Sequence, residues 1–365
     1  MKAAVIHQTN GIFDVEDSIQ IAQPIGHEVL IDVKASGLCH SDLHLAENDF
    51  GYPLPMILGH ELAGVVAAVG PGVTDFAVGD HVVGSLVQSC GHCAACRDGR
   101  SYQCANPNET LRDPGDGSRL TDASGAAIFQ GMGLAAFAEQ ALVHENQLAA
   151  VPDELPFPQA ALLGCGTVTG AGAAINTAGV KPGDTVAVIG ADGVGLNVIS
   201  GAKLAGAQRI IAIDLQPAKL ELAQKFGATD LVNPADGDAV AKVLELTGGG
   251  VDHAFEVIGL KATSEQAIKM ACMGGGAYLI GVHKPGATIE VDALVDLLTL
   301  QKKVQGVFMG STNIKHDIPM YANLYLQGRF NLDDLVSKEI AIDEINEAYE
   351  ELKGGTIARS VITVF

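Results

Sequence analysis

The stretch that most restricts how this chain can fold is 185–214. Thr185-Val186-Ala187-Val188-Ile189 is a short, β-branched apolar run. It breaks at Gly190-Ala191-Asp192-Gly193-Val194-Gly195, and an apolar-periodic stretch follows to about Ala205. Arg209-Ile210-Ile211-Ala212-Ile213 is a second buried-strand pattern, and it ends on the acid Asp214. Strand, glycine turn, helix and strand form a βαβ unit with parallel strands, because the helix crosses over between them. A turn of this kind places a pyrophosphate on a helix N-terminus, and an acid about twenty residues on accepts from ribose hydroxyls. Glycines alone would be a weak signal; here every part of the unit follows in order. Further strand patterns at 251–258, 277–282 and 303–309 alternate with helical segments, which predicts a doubly wound parallel sheet of Rossmann type.

The rest of the chain reads differently. At 365 residues it exceeds what a single core supports, so two domains are expected. The first 35 or so residues alternate apolar and polar in short runs, as in Glu28-Val29-Leu30-Ile31-Asp32-Val33, and read as antiparallel strands. So do 65–70 and 79–84, joined by a turn at Pro71-Gly72. The 44 glycines suit an α/β protein with many tight turns. A net charge of −21 argues against nucleic acid or an anionic membrane as partner. The uncharged run between Glu154 and Lys181 carries Pro156, Pro158, Gln159 and Asn176, so it reads as a buried loop–helix region and not a membrane span. Met1 to His7 lack the apolar core of a secretory signal, which makes the expected location cytoplasmic. Residues 112–124 are polar and rich in glycine and aspartate, and read as surface loop. The tail from about residue 310 predicts an amphipathic helix near 342–353 and a last strand at 360–365.

Seven cysteines without a secretory signal speak against a disulfide framework and for metal. Cys90, Cys93, Cys96 and Cys104 are spaced C-x2-C-x2-C-x7-C, with Gly91 and Gly99 easing the turns. Four thiolates at this spacing form a closed, structural site for zinc, with an iron–sulfur cluster as rival. A second group is looser. Gly37-Leu38-Cys39-His40-Ser41-Asp42-Leu43-His44 packs a thiol, two imidazoles, a hydroxyl and a carboxylate into six consecutive residues, 39–44. His60-Glu61 follows Gly59, and Cys165 stands between Gly164 and Gly166. Each has a bland reading as a buried polar or small residue, but together they offer soft and borderline ligands.

In these motifs and their order, the chain resembles the zinc-containing medium-chain alcohol dehydrogenases over its whole length, especially the animal-type and bacterial aryl- or primary-alcohol branches. The resemblance implies a mainly β, GroES-like catalytic domain, residues 1–166 and 309–365, with a structural zinc lobe at about 88–106, and an NAD-binding Rossmann domain at 167–308. It implies two zinc ions: a catalytic one on Cys39, His60 and Cys165, and a structural one on Cys90, Cys93, Cys96 and Cys104. Glu61 matches an acid that can approach the catalytic metal, and Asp42 the carboxylate that orients the ligand histidine. Ser41 and His44 match a proton relay. His40, Thr169, Lys219 and Arg359 match coenzyme contacts, joined by Gly190, Asp192, Gly193, Val194, Gly195, Asp214 and Val282. Phe50, Leu86, Phe137, Val282 and Phe308 are pocket candidates by position.

The implied reaction is reversible oxidation of an alcohol, primary and possibly aromatic, with hydride transfer to NAD. The implied partner is a small alcohol or aldehyde, and the implied assembly is a homodimer through the coenzyme domains, or a tetramer. Two other readings share the fold: a nicotinoprotein that keeps its NAD, and a zinc-independent reductase, which would need neither Cys39 nor the four-cysteine run. A catalytically silent NAD-binding protein would not need Ser41 and His44. Asn108, where the branch acting on a glutathione adduct carries arginine, disfavours that activity. Asp192 replaces the fingerprint's second glycine. Its side chain either caps the helix or faces the pyrophosphate and repels it.

Overall fold

The computed structural model describes residues 1–354 and 359–365, at Pro114 the backbone alone. The chain forms two compact units, Met1–Cys165 with Asn313–Phe365, and Gly166–Thr312.

The first unit is mainly β. Its longest strand, Glu28–Gly37, pairs antiparallel with Glu61–Val69, Gln140–His144 and Arg359–Val364 in a seven-stranded sheet. A six-stranded sheet containing Ala3–Ile6 and Met56–Ile57 completes the unit. The alternation at 28–33 predicts one wet face. Because the strand is central, eight of its ten residues are buried, all but Asp32 and Lys34, and even Glu28 is enclosed. Glu28 survives burial by pairing with two guanidinium groups, Arg112 Nη2 at 2.6 Å and Arg119 Nε at 2.7 Å. Burial alone would raise its pKa, but Arg112, the Ile25 N–H and Arg119 together lower it. This corrects the reading of 112–124 as plain surface loop: Arg119 is buried, and Leu120–Thr121 is a strand.

The predicted tail elements form, as a 3-10 turn Ile342–Glu344, a helix Ile345–Lys353 and a strand Arg359–Val364. The helix buries Ile345, Ala348, Tyr349 and Leu352, the i, i+3, i+4, i+7 stripe. Tyr349 stacks on Phe13 with ring centres 5.0 Å apart, and Phe137 meets Phe13 edge-on at 5.8 Å. Phe137 is therefore a core residue with no accessible surface.

The second unit is the doubly wound sheet. Its six strands lie in the order Asp230–Val232, Arg209–Ile213, Thr185–Ile189, Val251–Glu256, Ala271–Leu279, Lys303–Gly306, all parallel. The winding reverses between Thr185–Ile189 and Val251–Glu256, and ligands of such sheets bind at the carboxyl ends of the strands there. The short strand Asp230–Val232 escapes the sequence patterns. The uncharged run holds consecutive helical segments from Phe157 to Ala178, two of them π-helical, Leu163–Thr167 and Ala173–Ala178. No helix among the described residues is long and apolar enough to cross a membrane.

Candidate metal centres and nucleotide-binding turn

Three separate segments of the first unit converge on one buried point. The strand Glu28–Gly37 delivers the chain to Leu38, whose N–H donates to Ser360 O at 2.9 Å, and then to Cys39. Cys39 is the N-cap of the helix His40–Glu47. The antiparallel neighbour sets Glu61 opposite Gly37, with His60 just before it. A Cβ on Gly37 would lie 2.2 Å from Glu61 Oε2, so only glycine leaves room for that carboxylate. Cys165 comes from the π-helical segment Leu163–Thr167, the kind of local widening that often presents a functional side chain.

One ligand atom from each of Cys39, His60, Glu61 and Cys165 can be chosen so that all lie within 4.8 Å of one another, and all four residues are buried. His60 Nε2 is 3.2 Å from Cys165 Sγ. Its other nitrogen, Nδ1, is 2.9 Å from Asp42 Oδ1, which also accepts from the Gly59 N–H at 3.1 Å. Asp42 thus orients the ring so that Nε2 faces the sulfurs. Arg359 closes the cluster, with Nε 3.5 Å from Glu61 Oε1 and Nη2 4.0 Å from Cys39 Sγ.

The electrostatics are strained. The Cys165 thiol and the charges of His60 and Arg359 hold the Cys39 thiol well below its ordinary value against burial. The hydrogen bond with Cys39, together with burial, pushes the Cys165 thiol well above its ordinary value. Burial raises Glu61 to about 7, and neither of its oxygens accepts a hydrogen bond among the described residues. Asp42 Oδ2 is likewise unpartnered. Buried anionic donors left unsatisfied by protein groups are what a bound cation satisfies. Two sulfurs and an imidazole nitrogen, with a carboxylate close by, fit zinc with one position left over.

Ser41 and His44 lie one turn apart on the helix His40–Glu47 and so share a face. Ser41 is half-buried and His44 exposed. His40 is half-buried at the start of the same helix.

The four-cysteine run closes on itself. Sulfurs of Cys90, Cys93, Cys96 and Cys104 all lie within 4.8 Å of one another, and none of the four residues is buried. Backbone N–H groups of Cys90 and Asn106 donate to Cys104 Sγ at 3.2 and 3.3 Å, and the Cys93 N–H donates to Cys90 Sγ at 3.4 Å. N–H groups of Ala105 and Cys96 lower Cys93 to about 6, while burial and Cys93 raise Cys96 to about 12. Four mutually close sulfurs fit a closed tetrahedral ion.

In the second unit Gly190 ends the strand Thr185–Ile189, and Gly193, Val194 and Gly195 open the helix Gly193–Ala205. A Cβ on Gly195 would lie 2.0 Å from Gly190 O, so the helix packs against its own turn. Asp214 binds that turn: its Oδ2 accepts from the Ala191 N–H and its Oδ1 from the Gln216 N–H, each at 2.9 Å. Asp192 occupies the N-cap position but caps no helix N–H with its side chain; its Oδ1 pairs with Lys219 Nζ at 2.5 Å. The capping alternative for Asp192 is therefore not the one the structure adopts. Thr169 is buried with its hydroxyl 3.5 Å from Met309 Sδ, while Val282 and Phe308 are exposed, as is Phe50 in the first unit.

Sequence reasoning placed Arg359 with the coenzyme. The structure shows it buried against Glu61 and Cys39, a contact made only once the last strand pairs beside Gly37.

Residues 26–153 match the alcohol dehydrogenase GroES-like domain, and residues 193–327 the zinc-binding dehydrogenase domain. An NDMA-dependent alcohol dehydrogenase from Amycolatopsis methanolica is 39% identical over 99% of this chain and 98% of its own. The crystal structure of an alcohol dehydrogenase zinc-binding domain protein from Burkholderia ambifaria superposes with a TM-score of 0.95 at 38% identity, covering 100% of this chain and 98% of the other. That of benzyl alcohol dehydrogenase from Acinetobacter calcoaceticus gives 0.93 at 36% identity, covering 100% and 99%.

Proposed function

The chain belongs to the zinc-dependent medium-chain alcohol dehydrogenase family, and from that membership we propose that it oxidises an alcohol to its aldehyde or ketone with NAD as acceptor. The observation that carries the proposal is the buried meeting of Cys39, His60, Glu61 and Cys165, whose ligand atoms can be chosen to lie within 4.8 Å of one another, with both Glu61 oxygens accepting no hydrogen bond among the described residues. Cys39, His60 and Cys165 would hold the catalytic zinc, and Cys90, Cys93, Cys96 and Cys104 a second, structural one. When bound, zinc acts as a Lewis acid that brings the acidity of a coordinated hydroxyl toward neutrality, from about 16 to near 7 in the case of water.

The chain's own residues do the rest. Asp42 holds the His60 ring in the orientation that presents Nε2. Ser41 accepts the substrate's proton and His44, exposed one turn on, passes it to solvent. NAD supplies the hydride acceptor. Asp214, at the end of the strand Arg209–Ile213, accepts from the ribose hydroxyls and repels a 2′-phosphate. The similarity to a benzyl alcohol dehydrogenase supports a primary, aromatic alcohol as substrate.

The 39% identity to an NDMA-dependent enzyme favours a second reading, in which NAD stays on the protein between turnovers. A panel of primary, secondary and aromatic alcohols followed by NADH absorbance tests the first reading. Nucleotide retained after desalting, with turnover only in the presence of an added acceptor, marks the second. Absence of turnover under both regimes refutes both.

A cytoplasmic homodimer is the assembly we favour. The sheet ends on the strand Lys303–Gly306, and the neighbouring segment Ala293–Thr299 exposes Leu294, Val295, Leu297 and Leu298. An open strand edge beside apolar side chains suits self-association. Sedimentation of the purified protein as a monomer at micromolar concentration would rule it out.

A further inference from the structure

Asp192 stands where the dinucleotide fingerprint has its second glycine, and what its side chain does is specific. A helix-start aspartate ordinarily accepts from the helix's first N–H groups. This one has extended N-cap backbone, φ −81° and ψ −175°, yet makes no such bond. Its carboxylate reaches across to Lys219, in the first turn of the helix Pro217–Phe226, at 2.5 Å. Lys219 keeps only 16% of its side chain exposed, against 41% for Asp192. The adjoining residue of the turn, Ala191, donates its N–H to Asp214. Two carboxylates and one ammonium therefore meet at the carboxyl end of the strand Arg209–Ile213, and the ammonium is committed to the carboxylate that lies in the turn.

Resting on the reading that 185–214 holds a nicotinamide dinucleotide, we propose that Asp192 is a second specificity-determining residue for the coenzyme: by holding Lys219 it withholds a cation that would otherwise neutralise a 2′-phosphate. The chemistry is one of charge count. A ribose 2′-hydroxyl donates to Asp214 and needs no cation. A 2′-phosphate brings close to two negative charges into a cluster that already carries one in excess, the sum of Asp192, Asp214 and Lys219. Lysine is a good point-charge partner for phosphate, but only when it is not already paired. The same pairing leaves the first N–H groups of the helix Gly193–Ala205 uncapped by Asp192 and facing the pyrophosphate position. On this account Asp214 repels the 2′-phosphate directly, while Asp192 acts through Lys219.

The two roles separate by mutation. The full-length protein and its Asp192→Asn, Asp214→Asn, Asp192→Asn/Asp214→Asn and Asp192→Asn/Lys219→Gln variants are each dialysed to equilibrium against equal NADH and NADPH. The protein-bound nucleotides are then identified and measured by chromatography, a readout independent of turnover. Asp192→Asn is expected to lower the bound NADH:NADPH ratio about tenfold, and adding Lys219→Gln to return the ratio toward the parent's. The double change at Asp192 and Asp214 should favour NADPH more than either alone. An Asp192→Asn ratio equal to the parent's, or a shift that persists without Lys219, overturns the inference while leaving NAD binding standing. A parent protein that binds neither nucleotide overturns the dinucleotide reading itself, and the inference with it.

Discussion

The two cysteine clusters of the first unit are built in opposite ways. The lobe takes its four sulfurs from one contiguous run, 90–104, leaves all four residues partly exposed and answers them with backbone N–H groups of that run and of Asn106 just beyond it. The buried cluster takes Cys39, His60 and Cys165 from segments far apart in the chain and surrounds them with side chains, Asp42, Glu61 and Arg359. A closed ring of four sulfurs beside solvent is suited to holding a lobe together, because it leaves an ion no position for a substrate. A buried set with three ligands and an orienting carboxylate is suited to chemistry, because low dielectric strengthens every charge aimed at it. Exposure and ligand origin thus distinguish the two clusters, and that difference is what assigns the proposed structural and catalytic roles to them.

Mutations that treat the two clusters alike would break this contrast. Cys39→Ala should lower turnover by about three or more orders of magnitude, the several kcal/mol a Lewis acid contributes. Its circular dichroism and NADH binding should stay unchanged, and its zinc content should fall from two ions per chain to one. A variant with normal turnover, or loss of both ions, would dissolve the distinction.

Asp42→Asn sharpens the buried side. Weakening the partner of His60 Nδ1 should reduce affinity for the catalytic zinc by about ten- to a hundredfold in competition with a chelator, with the lobe's ion unaffected. Equal loss from both sites would mean that Asp42 only supports folding.

His44→Gln probes the path from the buried site to water. Oxidation should slow about tenfold, less than the roughly hundredfold or more typical of an acid–base group touching substrate, since solvent partly replaces an exposed relay. The defect should be largest below neutral pH and recover with small buffer bases. Loss of zinc from this variant would contradict a relay role.

Cys104→Ala should affect turnover least. It should instead lower the unfolding midpoint by roughly 4–8 °C, about 2 kcal/mol for a domain of this size, because the lobe has few buried apolar groups of its own. Loss of turnover in a variant that melts normally would reverse the assignment of the two clusters.

The two clusters also differ in how readable they are. Cys90, Cys93, Cys96 and Cys104 point to a metal site by spacing alone, since short turns bring sulfurs at that interval together. The βαβ unit at 185–214 is equally plain, because its period and its glycines are local. For Cys39, His60 and Cys165 residue type offers a candidate, and the resemblance to a family offers the roles. No local pattern signals that Arg359 would lie against Glu61, that Arg112 and Arg119 would enclose Glu28, or that Phe137 would fill the core beside Phe13. The helix Ile314–Leu326 is masked by Pro319 inside it, which lacks an N–H and reads as a break.

By itself, then, the sequence determines what is set by neighbours along the chain: the closed four-sulfur lobe, the parallel βαβ framework, the acid at the end of its second strand, and the amphipathic tail helix. Tertiary structure alone decides which charges meet. Strand pairing across more than three hundred residues sets Val361 opposite Gly37 and so brings Arg359 to Glu61 and Cys39, and a side chain in the fingerprint turn turns away from its own helix to take Lys219. The physical reason is that hydrogen-bonding period and turn chemistry act over a few residues, whereas the partner of a charged side chain is whatever group of opposite sign the completed fold leaves within a few ångströms.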